Sequence, residues 1–293
     1  MGGSPDVGAV LAWSAGRRAD LPWRATRDPW AVLVSEAMLQ QTQVARVVPR
    51  WHRFLERFPT AVACAAAPVG DIVTEWAGLG YNRRAVNLHR CATAITERHG
   101  GTTPDDLAAL LALPGVGPYT ARAVLAFAFE RDVAVVDTNV GRILARQSGE
   151  RLTVSAAQAM ADDLVPSGLG WSWNQGMLDL GALVCTKRSP SCGQCPTAST
   201  CVWFGRGADD PDPAIGSAAV SGGQSRFTGS FREGRSRLLD ALRHGGPVSP
   251  YRLRAACGWL DRPDGETEAR RAASTLVLDG LAVENSDGSF SLP

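Results

Sequence analysis

Apolar residues recur along most of this chain at spacings of three and four rather than in alternation, which is the signature of amphipathic helices. That pattern predicts helices over 7–15, 51–58, 62–67, 72–77, 84–98, 105–111, 119–129, 138–146, 155–165 and 173–184, with Pro59, Pro68, Gly78 and Gly80 as breaks. Asp28-Pro29 reads as an N-cap followed by proline at the first helical position, opening DPWAVLVSEAMLQQTQVARVV as a further helix. There Trp30, Leu33, Val34, Ala37 and Gln41 share one face, and Glu36 lies on its flank, where partial desolvation raises a carboxylate's affinity for a proton. No two-residue alternation is sustained before residue 207, so the first two thirds read as all-α.

Residues 205–225, rich in Gly, Ala, Ser, Asp and Pro, read as a linker. Beyond it, helices are expected over 235–243, 249–256 and 267–278, and two strands over 281–284 and 289–292 flank a turn at 285–288. Three helices and a hairpin predict a small winged-helix-like module.

One stretch carries the first chemical signal, LPGVGPYTARAVLAFAFERDVAVVD over residues 113–137. Gly115 and Gly117 lie in a tight turn between two helices, where the backbone can approach a ligand closely and free NH groups at the second helix attract phosphate. Asp137 follows four apolar residues and opens the next helix, whose dipole and NH groups favour an ionised carboxylate.

Composition narrows the classes. At 293 residues and 45% hydrophobic the chain can bury a sizeable core, and no run of about 18 apolar residues or signal pattern is present, which implies a soluble, cytoplasmic protein. Residues 1–206 carry 20 basic and 17 acidic side chains against 10 and 12 in the remainder, a mild bias that permits nucleic-acid binding. Every basic residue except Lys187 is arginine, so a Schiff-base lysine is nearly unavailable. Of the seven cysteines, Cys185, Cys192, Cys195 and Cys201 follow the spacing C-x6-C-x2-C-x5-C. Four thiolates so placed can ligate zinc or a four-iron cluster; the single C-x2-C knuckle and the helical context favour iron and sulfur. Lys187 and Arg188, in the first loop, would project from its rim and could meet phosphates.

The LPGVG hairpin between two helices, an acid 20 positions after Gly117, and the four-cysteine spacing together resemble the endonuclease III superfamily of DNA glycosylases, the helix-hairpin-helix group, over roughly residues 7–204. SEAMLQQTQV at 35–44 and GLGYNRRAVNLH at 78–89 look like its adenine-glycosylase branch, which acts on adenine opposite 8-oxoguanine or guanine. The lyase branch places a lysine where this chain has Tyr119 and has no counterpart of Glu36; both departures imply a monofunctional hydrolase.

The resemblance implies a six-helix barrel lobe (20–129), an iron-sulfur lobe (1–19 and 130–205), a linker (206–226) and the small C-terminal domain (227–293). It implies Glu36 as the general acid toward adenine N7 and Asp137 as the stabiliser of a cationic sugar, with Tyr119 and Asn139 orienting them. Arg24 and Trp23 would line the pocket for the flipped adenine, Tyr81 would be the intercalating wedge with Gln41 beside it, and Thr42 and Leu79 would lie against 8-oxoguanine. Gly115 and Gly117 would bind phosphate, and the family's monovalent cation would sit on hairpin carbonyls. The implied partner is double-stranded DNA containing the mispair, met by a monomer in the bacterial cytosol or nucleoid, and the implied cofactor is a 4Fe-4S cluster. Residues 227–293 are too few for the NUDIX-like domain typical of the branch and carry no NUDIX box. Rival readings are a glycosylase for thymine opposite guanine and a non-catalytic iron-sulfur DNA-binding module.

Overall fold

The computed structural model describes residues 3–208, 211–217 and 226–293. The chain is almost wholly helical: α1 (Val7–Ser14), α2 (Pro29–Leu39), α3 (Val44–Arg57), α4 (Ala61–Ala66), α5 (Val69–Glu75), α6 (Arg83–His99), α7 (Leu107–Leu111), α8 (Pro118–Phe127), α9 (Thr138–Ser148), α10 (Val154–Leu164), α11 (Gly170–Leu183) and α12 (Val202–Gly205). Then come α13 (Phe231–Gly245), α14 (Leu253–Ala256), α15 (Gly265–Leu278) and the strands β1 (Val283–Glu284) and β2 (Phe290–Ser291). No helix among the described residues is long and apolar enough to cross a membrane.

The chain forms two compact units. The first comprises residues up to 32, 105–111 and the described residues from 116 to 217. Its core joins Val10 of α1, Ile143 and Leu144 of α9, Ala157 and Ala161 of α10, and Trp173, Met177 and Leu180 of α11. Helices α9 and α11 approach closely because Gly181 has no side chain; a Cβ there would stand 2.5 Å from Asn139 Cβ. The second unit comprises residues 33–104, 112–115 and 226–293. Phe54, Ile72, Trp76 and Ile95 are fully buried in it, with Phe54 edge-on to Trp76 at 6.3 Å. Residues 20–32, 105–111 and 116–129, expected with the barrel, group by contacts with the first unit, and the C-terminal residues group with the second.

Three further features differ from the sequence reading. The helix opened by Asp28 ends at Leu39, and Gln41 takes a left-handed φ of +55° before α3 begins, so Gln40 and Gln41 lie in a turn. The helix expected over 249–256 is a 3-10 turn, Pro250–Arg252, leading into the single turn of α14, since Pro250 fixes the start and Gly258, at φ +71°, stops it. Parts of the expected linker, residues 209–210 and 218–225, lie outside the described residues. Its described part is anchored in the first unit: Asp212 pairs with Arg146 at 2.7 Å, and Ala214 and Ser217 are buried.

In the C-terminal module α13, α14 and α15 pack together, and β1 and β2 pair antiparallel with Val283 opposite Ser291. Val248 exchanges two backbone hydrogen bonds with Phe290, adding a third short strand position. Its core is built on Leu238, Leu276 and Trp259, and Phe231 stacks on Trp259 at 5.9 Å.

Candidate active site and cysteine centre

Helix α2 is capped as expected, Asp28 Oδ1 accepting from the Trp30 amide at 3.0 Å. Its burial is not as expected. Trp30 through Glu36 and Met38 are buried and Ala37 and Leu39 half-buried, so Glu36, 5% exposed, lies deeper than the margin of an apolar stripe. A carboxyl at this depth is shielded from bulk water, as a group that delivers a proton to a flipped base must be.

Beyond Glu36 the chain is tied to the GLG-Tyr loop chiefly by Arg84. Arg84 donates to the carbonyls of Ala37, Met38 and Gln40 at 2.7–2.9 Å, to Thr42 Oγ1 at 3.0 Å, and to the Gly80 carbonyl at 3.0 Å. Thr42 Oγ1 also donates to the Leu79 carbonyl at 3.3 Å. Burial pushes the Arg84 guanidinium down to about 10, which leaves it cationic at neutral pH. Its charge lies over the rings of Trp76 and Tyr81. Thr42, Leu79 and Tyr81 therefore gather around Arg84, which also holds the Gln40 carbonyl next to Gln41. Tyr81 is 46% exposed at a left-handed φ of +44°, whereas Leu79 is buried.

The hairpin glycines differ. Gly115 has φ +77°, and a Cβ there would meet Asn87 Cβ at 2.7 Å, so only glycine fits the turn. Gly117 has ordinary backbone and is the N-cap of α8, with Pro118 at the first helical position. Tyr119 follows in the first turn, half-buried.

In the first unit Asp137 caps α9 as the sequence implied: Oδ1 accepts from the amides of Asn139 and Val140 at 2.8 Å, and Oδ2 accepts from Asn139 Nδ2 at 2.8 Å. Desolvation works against the cap. Burial pushes the Asp137 carboxyl up, and the Val140 and Asn139 hydrogen bonds and the Arg142 charge only partly offset it, so its pKa stands above the ordinary value. Asn139 Oδ1 accepts from Arg142 Nη2 at 2.8 Å, and Arg142 Nε donates to the Cys185 carbonyl at 2.7 Å. A continuous hydrogen-bonded path thus joins Asp137 to the cysteine loop.

Trp23 and Arg24 lie in a 3-10 turn, Trp23 buried and Arg24 half-buried with its side chain 8% exposed. Arg24 makes a bidentate pair with Asp179 of α11 at 2.8 and 2.9 Å, the carboxylate being 1% exposed, and its Nε is buried without a hydrogen-bond partner. Arg24, Gln175 and Asp179 line a cavity with Trp171 and Ser14. Asp179, Arg84 and Arg142 are positioning residues that the sequence reading missed. Asp179 had a signal, a lone acid in the apolar run GMLDLGAL, the same kind that singled out Glu36.

Cys185, Cys192, Cys195 and Cys201 line one cavity with Ile143, Leu180 and Trp203. Among the described residues no three His, Cys, Asp or Glu side chains converge as a single-ion site. Arg146 donates to Cys185 Sγ at 3.3 Å and to the Thr186 carbonyl at 2.8 Å, and its guanidinium lies 4.6 Å from the Trp203 ring centre. A soft donor set backed by a buried cation fits an anionic thiolate-bound cluster. Burial pushes the thiols of Cys185, Cys192 and Cys201 up, so ligation must displace their protons. Lys187 and Arg188 are exposed on this loop. The other three cysteines, Cys64, Cys91 and Cys257, are buried and pushed to about 12, which makes them inert core residues.

Comparison with known proteins identifies the family. Residues 34–163 match the HhH-GPD superfamily base excision DNA repair proteins. The chain is 41% identical to an adenine DNA glycosylase of Mycolicibacterium smegmatis over 97% of this chain and 94% of that protein. It is 38% identical to the human adenine DNA glycosylase over 66% of this chain and 38% of that protein. Among solved structures, a thermostable thymine-DNA glycosylase superposes with TM-score 0.66 and 32% identity over 68% of this chain and 95% of that one. A non-covalent endonuclease III–DNA complex shares the fold, with TM-score 0.61 at 23% identity over 69% of this chain and 94% of that one. A buried glutamate in SEAMLQQ, a helix-capping aspartate after the hairpin and nearly full-length likeness to its mycobacterial relative place this chain in the HhH-GPD superfamily and, within it, among the adenine DNA glycosylases.

Proposed function

We propose that this chain removes adenine mispaired with 8-oxoguanine or guanine from double-stranded DNA by hydrolysing the N-glycosidic bond, without lyase activity. The observation that carries the reading is Glu36, a carboxyl buried in a largely apolar helix. It serves as general acid, protonating adenine at N7 so that the base leaves neutral. Asp137, ionised in the reacting complex, stabilises the positive charge on the sugar, and Asn139 fixes which oxygen faces it. Tyr119 in place of a lysine removes the Schiff-base route. Tyr81 fills the gap left by the flipped base, Gln41, Thr42 and Leu79 meet the opposite base, and Arg24 with Trp23 borders the adenine pocket. The amides around Gly115 and Gly117, with Lys187 and Arg188, bind backbone phosphate.

The four thiolates of Cys185, Cys192, Cys195 and Cys201 would hold a 4Fe-4S cluster. Bound there, the cluster holds the loop in shape; hydrolysis transfers no electrons. The enzyme works as a monomer in the bacterial cytosol.

The test is single-turnover excision by the wild type and Glu36→Gln on duplexes pairing A with 8-oxoguanine, A with G, and T with G. The wild type is expected to cut at adenine after alkali in the first two duplexes, and the variant to bind DNA and lose excision. The likeness to a thymine-DNA glycosylase gives the third duplex its purpose: cleavage there with adenine left intact would overturn the reading.

A further inference from the structure

The C-terminal module packs within the second unit at three places. Pro293 accepts a hydrogen bond from the Gly70 amide at 2.9 Å, where a Cβ on Gly70 would stand 2.7 Å from the same carbonyl. Gly280 lies on Val86 of α6, a Cβ there meeting Cγ1 at 3.3 Å. The third place is polar and buried. Arg243, in the last turn of α13, has a side chain only 2% exposed. It donates from Nε and Nη2 to the Val73 carbonyl at 3.1 and 2.9 Å, and from Nη2 to Asn82 Oδ1 at 2.9 Å.

Asn82 follows Tyr81 directly and occupies the N-cap position of α6. Asparagine there usually turns its oxygen back to a helix amide. Here it makes no cap hydrogen bond and holds αR backbone, its oxygen being taken by Arg243. Tyr81 meanwhile holds a left-handed φ of +44°, a conformation that a bulky residue keeps only when its surroundings over-determine it. Arg84 grips the loop by the carbonyls of Gly80 and Tyr81, and Arg243 grips it by the next side chain.

We propose that Arg243 is a positioning residue through which the C-terminal module fixes Asn82 and so holds Tyr81 in the conformation that enters DNA. The proposal rests on the reading of Tyr81 as the wedge. In it the module contributes to adenine excision by bracing the wedge, which requires no base-reading fold of its own.

The test is a double-mutant cycle in the full chain: Arg243→Gln, Asn82→Ala, Tyr81→Ala, and each of the first two combined with Tyr81→Ala. Single-turnover excision rate and duplex affinity are measured on A opposite 8-oxoguanine and on A opposite G, with a thermal melt of each protein. Asn82→Ala keeps both Arg243 contacts to Val73, so it tests the brace should Arg243→Gln fail to fold. Arg243→Gln and Asn82→Ala are each expected to lower the rate roughly tenfold, with little further loss once Tyr81 is alanine, as for residues acting through one another. Losses that multiply fully in the double variants would make Arg243 merely structural and overturn the proposal. So would a defective Tyr81→Ala beside an unaffected Asn82→Ala, which leaves the wedge reading standing. If Tyr81→Ala itself is silent on both duplexes, the wedge reading falls and the brace with it.

Discussion

Asp137 stands between opposed influences, desolvation favouring its proton and the α9 amides favouring its charge, and desolvation prevails. The sign matters for catalysis. A carboxyl whose pKa is raised keeps its proton to a higher pH, so the anion that stabilises a cationic sugar is lost earlier as pH falls. The acid limb of single-turnover excision is therefore expected above the ordinary aspartate value of 3.8. Asn139→Ala removes a hydrogen bond that lowers this pKa, so it should move the limb further up; a limb unmoved by Asn139→Ala would remove Asp137 from the step. The cap itself was legible in the sequence, because Asp-Thr-Asn after an apolar run is a local signal. The burial was not, since it depends on how closely Gly181 lets α11 approach Asn139 from 42 residues away.

At the level of elements, the segment after Glu36 shows how tertiary contacts end a helix that local propensity would continue. Gln-Gln-Thr-Gln has no strong breaker, and the sequence pattern runs helix straight through it. Arg84 takes the final carbonyls of α2 with a planar cation, and the chain turns at Gln41 instead. Nothing at positions 37–43 announces an arginine more than 40 residues away. Helix α2 was likewise read as amphipathic, although Ser35 and Glu36 are buried with their apolar neighbours. Arg84→Ala would take the shared donor from the partly buried Ala37 and Met38 carbonyls and is expected to cost about 1–3 kcal/mol in chemical denaturation. Arg84→Lys should recover little, because an ammonium cannot span the Ala37, Thr42 and Gly80 acceptors as the guanidinium fork does. Full recovery by lysine would show that charge alone, rather than the fork, holds the loop.

For the molecule as a whole, the helical body and the four-cysteine spacing could be read from the sequence, but the attachment of the C-terminal module could not, because it rests on Arg243, Gly70 and Gly280, which carry no local signature. The attachment leads to a prediction about stability that separates deletion from substitution. A chain ending after Ser217 keeps the Asp212–Arg146 pair, and it returns the Gly70 amide and the Val73 carbonyl to water, where they are solvated again. What it forfeits is chiefly apolar burial around Val86, so denaturation of that chain should fall short of full length by about 1–3 kcal/mol. Arg243→Gln in the full chain keeps the module over Val73 while shortening the donor, so the carbonyl is left both dry and poorly paired. Such a group costs about as much again, about 1–3 kcal/mol, and the substitution is expected to match the deletion of the whole module. A substituted chain as stable as the wild type would show that Val73 is wet in the native state and that the module is tethered rather than docked.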